Sequence, residues 1–358
     1  MDNTINYGFS LRGTSHELMN KPCQDFHKYE KLDSGYTILV CCDGVGSAKF
    51  AEKGSKLVGE TAIQFCQDNF PYDGNSKAIE SMIRMAFNKA MLEVIDLANQ
   101  EGEDIKSYDT TLDLVVYNGS SVSLGHVGDS GVIALNAFSG KYEALTSSQK
   151  SGDGVSMIPL RFGNKYWVIK TFKEEYAAVL MATDGMLDSL LSPTILKNQE
   201  EKLNISELRK FMDKTFNEID KDNIEKFQEH LIEVFSDEER LLNVTSDDKT
   251  VVVSISEQLT PEILDEDYYK APDWDAIRND INSRLYKCSD SKDDEICLRD
   301  NESSIDSKED VFENELGQEE KMKLEEVEVK KNDKPIELKH LKRKAKKIIL
   351  KGIKLLKK

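Results

Sequence analysis

Residues Ile38–Ser47 read ILVCCDGVGS, an apolar run that stops at Asp43 and then steps through two glycines one residue apart. Such a run, closed by Asp and Gly, has the signature of a strand buried on both faces. A carboxylate at the end of that strand is costly to desolvate and needs a partner. The same wording recurs: Asp129 in GHVGDSG and Asp184 in LMATDGMLD each follow an apolar run, and the pair Asp247–Asp248 stands just before KTVVVSI. Any one of these is ordinary for a turn or a helix N-cap. Four together point elsewhere, because strand ends in one sheet converge and carboxylates brought together repel unless a cation holds them. A donor set of oxygens favours Mg²⁺ or Mn²⁺ over zinc. Glycine after the aspartate lets a backbone carbonyl approach the ion as a further ligand.

Working outward, strand-like runs rich in Val, Ile and Tyr fall at 37–42, 111–118, 121–128, 131–136, 166–172, 177–183 and 250–256. Apolar residues at helical spacing predict helices over 50–69 and 76–99, then 205–219 and 223–235. Strands in succession and helices in pairs argue against a doubly wound parallel sheet. An α+β fold with a largely antiparallel β-core and helical layers fits them.

The 358 residues suffice for a large core, and a formal charge of −18 opposes nucleic-acid binding by the body of the chain. The six cysteines lack zinc-ligand spacing, and Cys41–Cys42 lie inside an apolar run, which favours reduced thiols and a cytoplasmic address. No stretch is long and apolar enough to span a membrane, and the N-terminus does not read as a signal peptide. Three regions are expected: a compact domain over 1–258, an acidic, disordered linker over 259–336, and a basic amphipathic helical tail over 337–358. The tail has ten Lys or Arg after Glu337 and no acid, with Leu341, Ala345, Ile348, Ile349, Ile353 and Leu356 on one helical face. That pattern suits an anionic membrane surface, giving a peripheral location, or an acidic partner or the chain's own linker. Lack of aromatics for base stacking disfavours nucleic acid.

The pieces RGTSHELMNKPCQD, CDGVGS, the TT of YDTTLDLVV, HVGDS, ATDGMLD and SDDKTVVV occur in an order that resembles the metal-dependent serine/threonine protein phosphatases of type 2C, the PPM family, in its bacterial branch. The resemblance covers about residues 8–256. It implies a four-layer α/β/β/α sandwich with a central antiparallel β-sandwich and paired helices on both faces. It also implies hydrolysis of phosphoserine and phosphothreonine in proteins by a hydroxide shared between two Mn²⁺ or Mg²⁺ ions, with a third ion bound more weakly. Position by position, Asp43 matches the aspartate that bridges the two ions and the carbonyl of Gly44 the backbone ligand beside it. Asp184 and Asp247 match carboxylates completing one ion's coordination, and Asp25 the residue holding the second. Asp129 and Asp188 match ligands of the third site.

Asp43 and Asp184 are thus the expected catalytic residues. His16 stands where many relatives carry a phosphate-binding arginine, and is read either as that contact or as a hydrogen-bonded structural residue. Val45 replaces the histidine that follows Asp-Gly in eukaryotic members. Residues 146–171 fall where the family has a variable flap beside the site, which suggests a role in substrate selection. A phosphoprotein substrate, a partner serine/threonine kinase and a signalling role are implied. The alternative is a phosphatase-fold protein that binds phosphoprotein, as a regulatory scaffold, with little turnover.

Overall fold

The computed structural model describes residues 3–150, 157–190, 203–236, 245–271 and 273. Ten strands are present among them: β1 (Thr4–Leu11), β2 (Phe26–Lys31), β3 (Thr37–Cys42), β4 (Leu112–Tyr117), β5 (Val122–Val127), β6 (Gly131–Asn136), β7 (Tyr142–Ala144), β8 (Val168–Thr171), β9 (Tyr176–Ala182) and β10 (Lys249–Ser256). The helices are α1 (Thr14–Leu18), α2 (Ala51–Asp68), α3 (Ser76–Glu101), α4 (Asp184–Leu190), α5 (Ile205–Met212) and α6 (Ile224–Ser236).

The strands form two five-stranded sheets, β1-β10-β9-β6-β7 and β2-β3-β4-β5-β8, with antiparallel pairing throughout. Alternation along β3 explains why its sequence is apolar without a break. Ile38, Val40 and Cys42 pack against α2 and α3, whereas Leu39 and Cys41 enter the layer between the sheets. In β9, Ala178, Leu180 and Ala182 face the helices α4–α6, and Val179 and Met181 face the opposite sheet. Three apolar layers therefore separate four layers of structure, the expected α/β/β/α sandwich. Each fully buried Val or Leu contributes on the order of 1.5–3 kcal/mol. Cys41, Cys42 and Cys66 are buried and, like Cys23, free.

Three strands, β1, β2 and β7, and two short helices, α1 and α4, lie outside the sequence-based candidates. The alternation in β1 puts Ile5, Tyr7 and Phe9 on the helical side and Thr4, Asn6, Gly8 and Ser10 on the other. The polar row is buried as well: Thr4 Oγ1 and Thr37 Oγ1 are 2.8 Å apart across the two sheets. β2 is an edge strand whose half-buried Lys28 and Glu30 pair at 3.0 Å, and it is defined by its ladder with β3 rather than by its own apolarity. The helix expected over 205–219 ends at Met212, because Asp213 Oδ1 accepts the N–H groups of Thr215 and Phe216 and turns the chain.

The acidic segment expected to begin a linker at 259 first packs on the domain. Tyr142 N–H donates to Tyr268 Oη (2.9 Å), and the Arg209 guanidinium lies 3.8 Å from the Tyr269 ring centroid. The rest of that linker and the basic tail lie outside the described residues. Among the described residues no helix is long and apolar enough to cross a membrane.

Candidate metal centre

The antiparallel register brings the chemistry-bearing loops to one end of the sandwich. Phe26 pairs with Cys42, Cys41 with Asp113, Leu112 with Val127, Gly131 with Ala182, and Lys249 with Leu11. Asp25 before β2, Asp43 after β3, Asp129 between β5 and β6, Asp184 after β9 and Asp247 before β10 therefore share that end, with His16 on α1 following β1.

Carboxylate oxygens of Asp43, Asp129 and Asp184 all lie within 4.8 Å of one another. Burial, followed by the charges of Asp184, Asp25, Asp129 and Asp247, pushes the Asp43 carboxyl well above the ordinary carboxylate range. Asp129 is pushed up to about 6 by burial and by Asp184, with Lys150 pulling the other way. Asp25 is raised by burial, against a hydrogen bond from Thr183 Oγ1 to its Oδ2 (2.7 Å). The Asp247 carboxyl is raised by desolvation and then by Asp184. Asp43 Oδ2 and Asp129 Oδ1 are buried without a hydrogen-bond partner. Converging carboxylates with orphaned oxygens and an all-oxygen donor set fit hard divalent cations.

Two buried hydroxyls set the backbone of Asp43. Thr111 Oγ1 accepts its N–H (2.9 Å) and lies 3.0 Å from Ser130 Oγ, while Thr110 Oγ1 donates to its carbonyl (2.8 Å). Sequence reasoning includes the Thr110–Thr111 pair as a motif without assigning it this work. Its signal is a pair of hydroxyls immediately before an otherwise apolar strand. Gly44 pairs with Thr110, and a Cβ there would collide with the Gln24 carbonyl, 2.6 Å away.

His16 and Asp247 stand with Asp248 in a second group. Asp248 is already engaged: its Oδ1 accepts Gly13 N–H and its Oδ2 accepts Gln24 N–H, both at 2.6 Å, and His16 Nδ1 lies 2.9 Å from Oδ2. Asp248 thus ties the 13–24 segment to the loop before β10, while Asp247 Oδ1 accepts the Asp248 N–H (2.8 Å) and is the less engaged carboxylate of the pair. His16 is buried in this contact. Asp188 lies on α4, one turn beyond Asp184, and its side chain is outside the described residues.

Gly185 matters for space: a Cβ there would fall well inside van der Waals contact of the Asp248 carbonyl. Gly185→Ala is therefore expected to cost about 1–3 kcal/mol or more through a backbone shift at 247–248, and to weaken Mn²⁺ binding in the same variant. Thermal unfolding with and without Mn²⁺ checks both effects.

Beside the carboxylates opens a cleft of about 110 Å³, lined by Asp129, Asp184, Leu187, Thr146, Ser148 and Lys150 among others. Val45 donates its N–H to Asp109 O (3.0 Å) and offers no proton donor to the site.

The family model described as Protein phosphatase 2C matches residues 12–236. Among solved structures, the serine/threonine phosphatase Stp1 from Staphylococcus aureus is 18% identical over 70% of this chain and 94% of that one, with a TM-score of 0.47. The Mycobacterium tuberculosis serine/threonine phosphatase PstP/Ppp is 17% identical over 73% and 100%, with a TM-score of 0.49. The catalytic domain of PstP in complex with two manganese ions is 17% identical over 71% and 98%, with a TM-score of 0.47. No curated protein matches the sequence.

Proposed function

The chain belongs to the protein phosphatase 2C family, and from that membership we propose that it hydrolyses phosphoserine and phosphothreonine in proteins with Mn²⁺ or Mg²⁺. The observation that carries the reading is the convergence of Asp43, Asp129 and Asp184, two of them with orphaned buried oxygens. Asp43, the Gly44 carbonyl, Asp184, Asp247 and Asp25 would hold two ions. Asp129 and Asp188 would hold a third, weaker one. Bound divalent cations supply acidification of water and neutralisation of phosphoryl oxygens.

The remaining work falls to the chain. Thr110 and Thr111 fix Asp43 through its own backbone, so that its carboxylate needs no reorganisation when substrate arrives. Thr183 orients Asp25, donating to its Oδ2 while accepting Thr250 N–H (3.1 Å). Asp248 holds the loop that carries Asp247. His16 packs against Asp248 with Nδ1 2.9 Å from Oδ2 but no aligned hydrogen bond, and in this reading it supports that loop through its burial. The cleft with Lys150 admits the substrate side of the reaction. Val45 does not favour the alternative of a phosphoprotein scaffold, given the convergence of Asp43, Asp129 and Asp184. A partner kinase, a signalling role, and peripheral membrane or acidic-partner docking through 337–358 accompany this proposal.

The purified full chain is expected to hydrolyse an aryl phosphate and a phosphothreonine peptide with Mn²⁺ and to lose both activities with EDTA. Absence of turnover on both substrates at saturating Mn²⁺ would overturn the reading.

A further inference from the structure

The register of β4 and β5 sets Asp113 directly opposite His126. Their same-face neighbours Val115 and Leu124 belong to the apolar layer between the sheets, so the pair ends that layer beneath the acidic centre. Asp113 is 0% and His126 1% exposed. His126 Nδ1 lies 2.6 Å from Asp113 Oδ1, and its Nε2 lies 3.1 Å from the main-chain oxygen of Ser147. Both neighbours are acceptors, so only a ring carrying two N–H groups satisfies both. A buried ion pair is a poor stabiliser compared with apolar side chains of similar volume, and packing alone gives no reason for one here.

What the pair grips gives the reason. Ser147 lies in the segment that runs from β7 along the cleft, and its neighbours Thr146, Ser148 and Lys150 line that cleft beside Asp129 and Asp184. The segment is tied on either side of Ser147: Val132 N–H donates to Thr146 Oγ1 (2.8 Å), and Gln149 N–H donates to Gly128 O (2.8 Å). His126 supplies the hold between them, at the centre of the cleft wall.

We propose that the Asp113–His126 pair is a positioning device for the protein substrate. By holding the Ser147 carbonyl it sets Thr146, Ser148 and Lys150 as a polar, cationic wall that takes the peptide residues flanking the phosphorylated side chain. The proposal rests on the phosphatase reading above. Neither residue touches the reacting atoms; both act through the segment they fix.

The test compares the full-length wild type with His126→Ala, which removes the donor to the Ser147 carbonyl, in the presence of Mn²⁺. The ratio of kcat/KM for a phosphothreonine peptide to kcat/KM for p-nitrophenyl phosphate is expected to fall about tenfold, through KM for the peptide, as for loss of one hydrogen bond. The Gln149 amide is expected to exchange faster with deuterium in the same variant. His126→Gln, which keeps a donor for the Ser147 carbonyl, is expected to recover part of the ratio, and Asp113→Ala, which removes the ring's second anchor, is expected to lower it and carries the comparison if His126→Ala fails to fold.

A merely structural role would lower turnover of both substrates alike. An unchanged ratio in an active variant, or unchanged exchange at Gln149, would overturn the proposal while leaving the phosphatase reading intact. A wild type that turns over neither substrate would overturn that reading, and the proposal with it.

Discussion

Asp43→Asn is expected to reduce Mn²⁺-dependent phosphate release by about 10²–10³-fold or more, the scale of losing a preorganised electrostatic group at a reacting centre. The same substitution is expected to stabilise the metal-free protein. Both follow from one feature: Asp43 is buried, its Oδ2 has no hydrogen-bond partner, and Asp184, Asp25, Asp129 and Asp247 all oppose its ionisation. Asparagine keeps the shape and the backbone bonds to Thr110 and Thr111 while removing the charge. A residue kept for packing would show the opposite stability change, since replacing a satisfied buried group destabilises. Steady-state kinetics with Mn²⁺ and thermal unfolding in EDTA read the two effects on one preparation.

The stability of the metal-free protein is expected to fall as pH rises from about 5 to 7, and Mn²⁺ to offset the fall. Asp25, Asp43, Asp129 and Asp247 all have their carboxyls raised in the folded protein, so the fold binds their protons more tightly than the unfolded chain does. Stabilisation from such groups is complete below the unfolded pKa and is lost as pH climbs through the folded one. For Asp129, raised from 3.8 to about 6, the loss is on the order of 3 kcal/mol. His126 is also raised, against the opposing effect of its burial, by Asp113 and the Ser147 carbonyl, and its contribution is lost in the same direction. Mn²⁺ at about 100 times its dissociation constant would add about 2.7 kcal/mol. Unfolding curves at pH 5 and 7, with EDTA or Mn²⁺, check the sign; a metal-free protein more stable at pH 7 would contradict it.

The parts of the fold legible in the sequence are those whose burial is written in side chains. The strand Thr37–Cys42 and the helix Ser76–Glu101 show it most directly, one apolar throughout and the other apolar at helical spacing. β1 carries a clean alternation as well, but its second face is polar and buried against the other sheet, which reads locally as loop chemistry. β2 exists because β3 has a free edge, a fact about pairing and not about its own residues. The early end of α5 follows from Asp213, whose side chain competes for backbone N–H groups that a helix would use.

At the site, each carboxylate is visible because a charge at a strand end is anomalous. What fixes those carboxylates is not visible, because it is made across the fold. Thr111 meets Ser130, Thr183 meets Asp25, and Asp248 meets Gly13 and Gln24, over separations that no local pattern encodes. Asp247 and Asp248 are adjacent and chemically alike, yet Asp248 anchors two distant backbone N–H groups while Asp247 accepts the N–H of its own neighbour.

The most direct measurement is calorimetric titration of the metal-free full chain with Mn²⁺ at pH 7, set beside Asp43→Asn. Saturable binding of more than one ion by the wild type, lost or strongly weakened in the variant, is the expected result. Absence of Mn²⁺ binding by the wild type, or equal binding by both proteins, would contradict the assignment of these strand-end carboxylates to a metal centre.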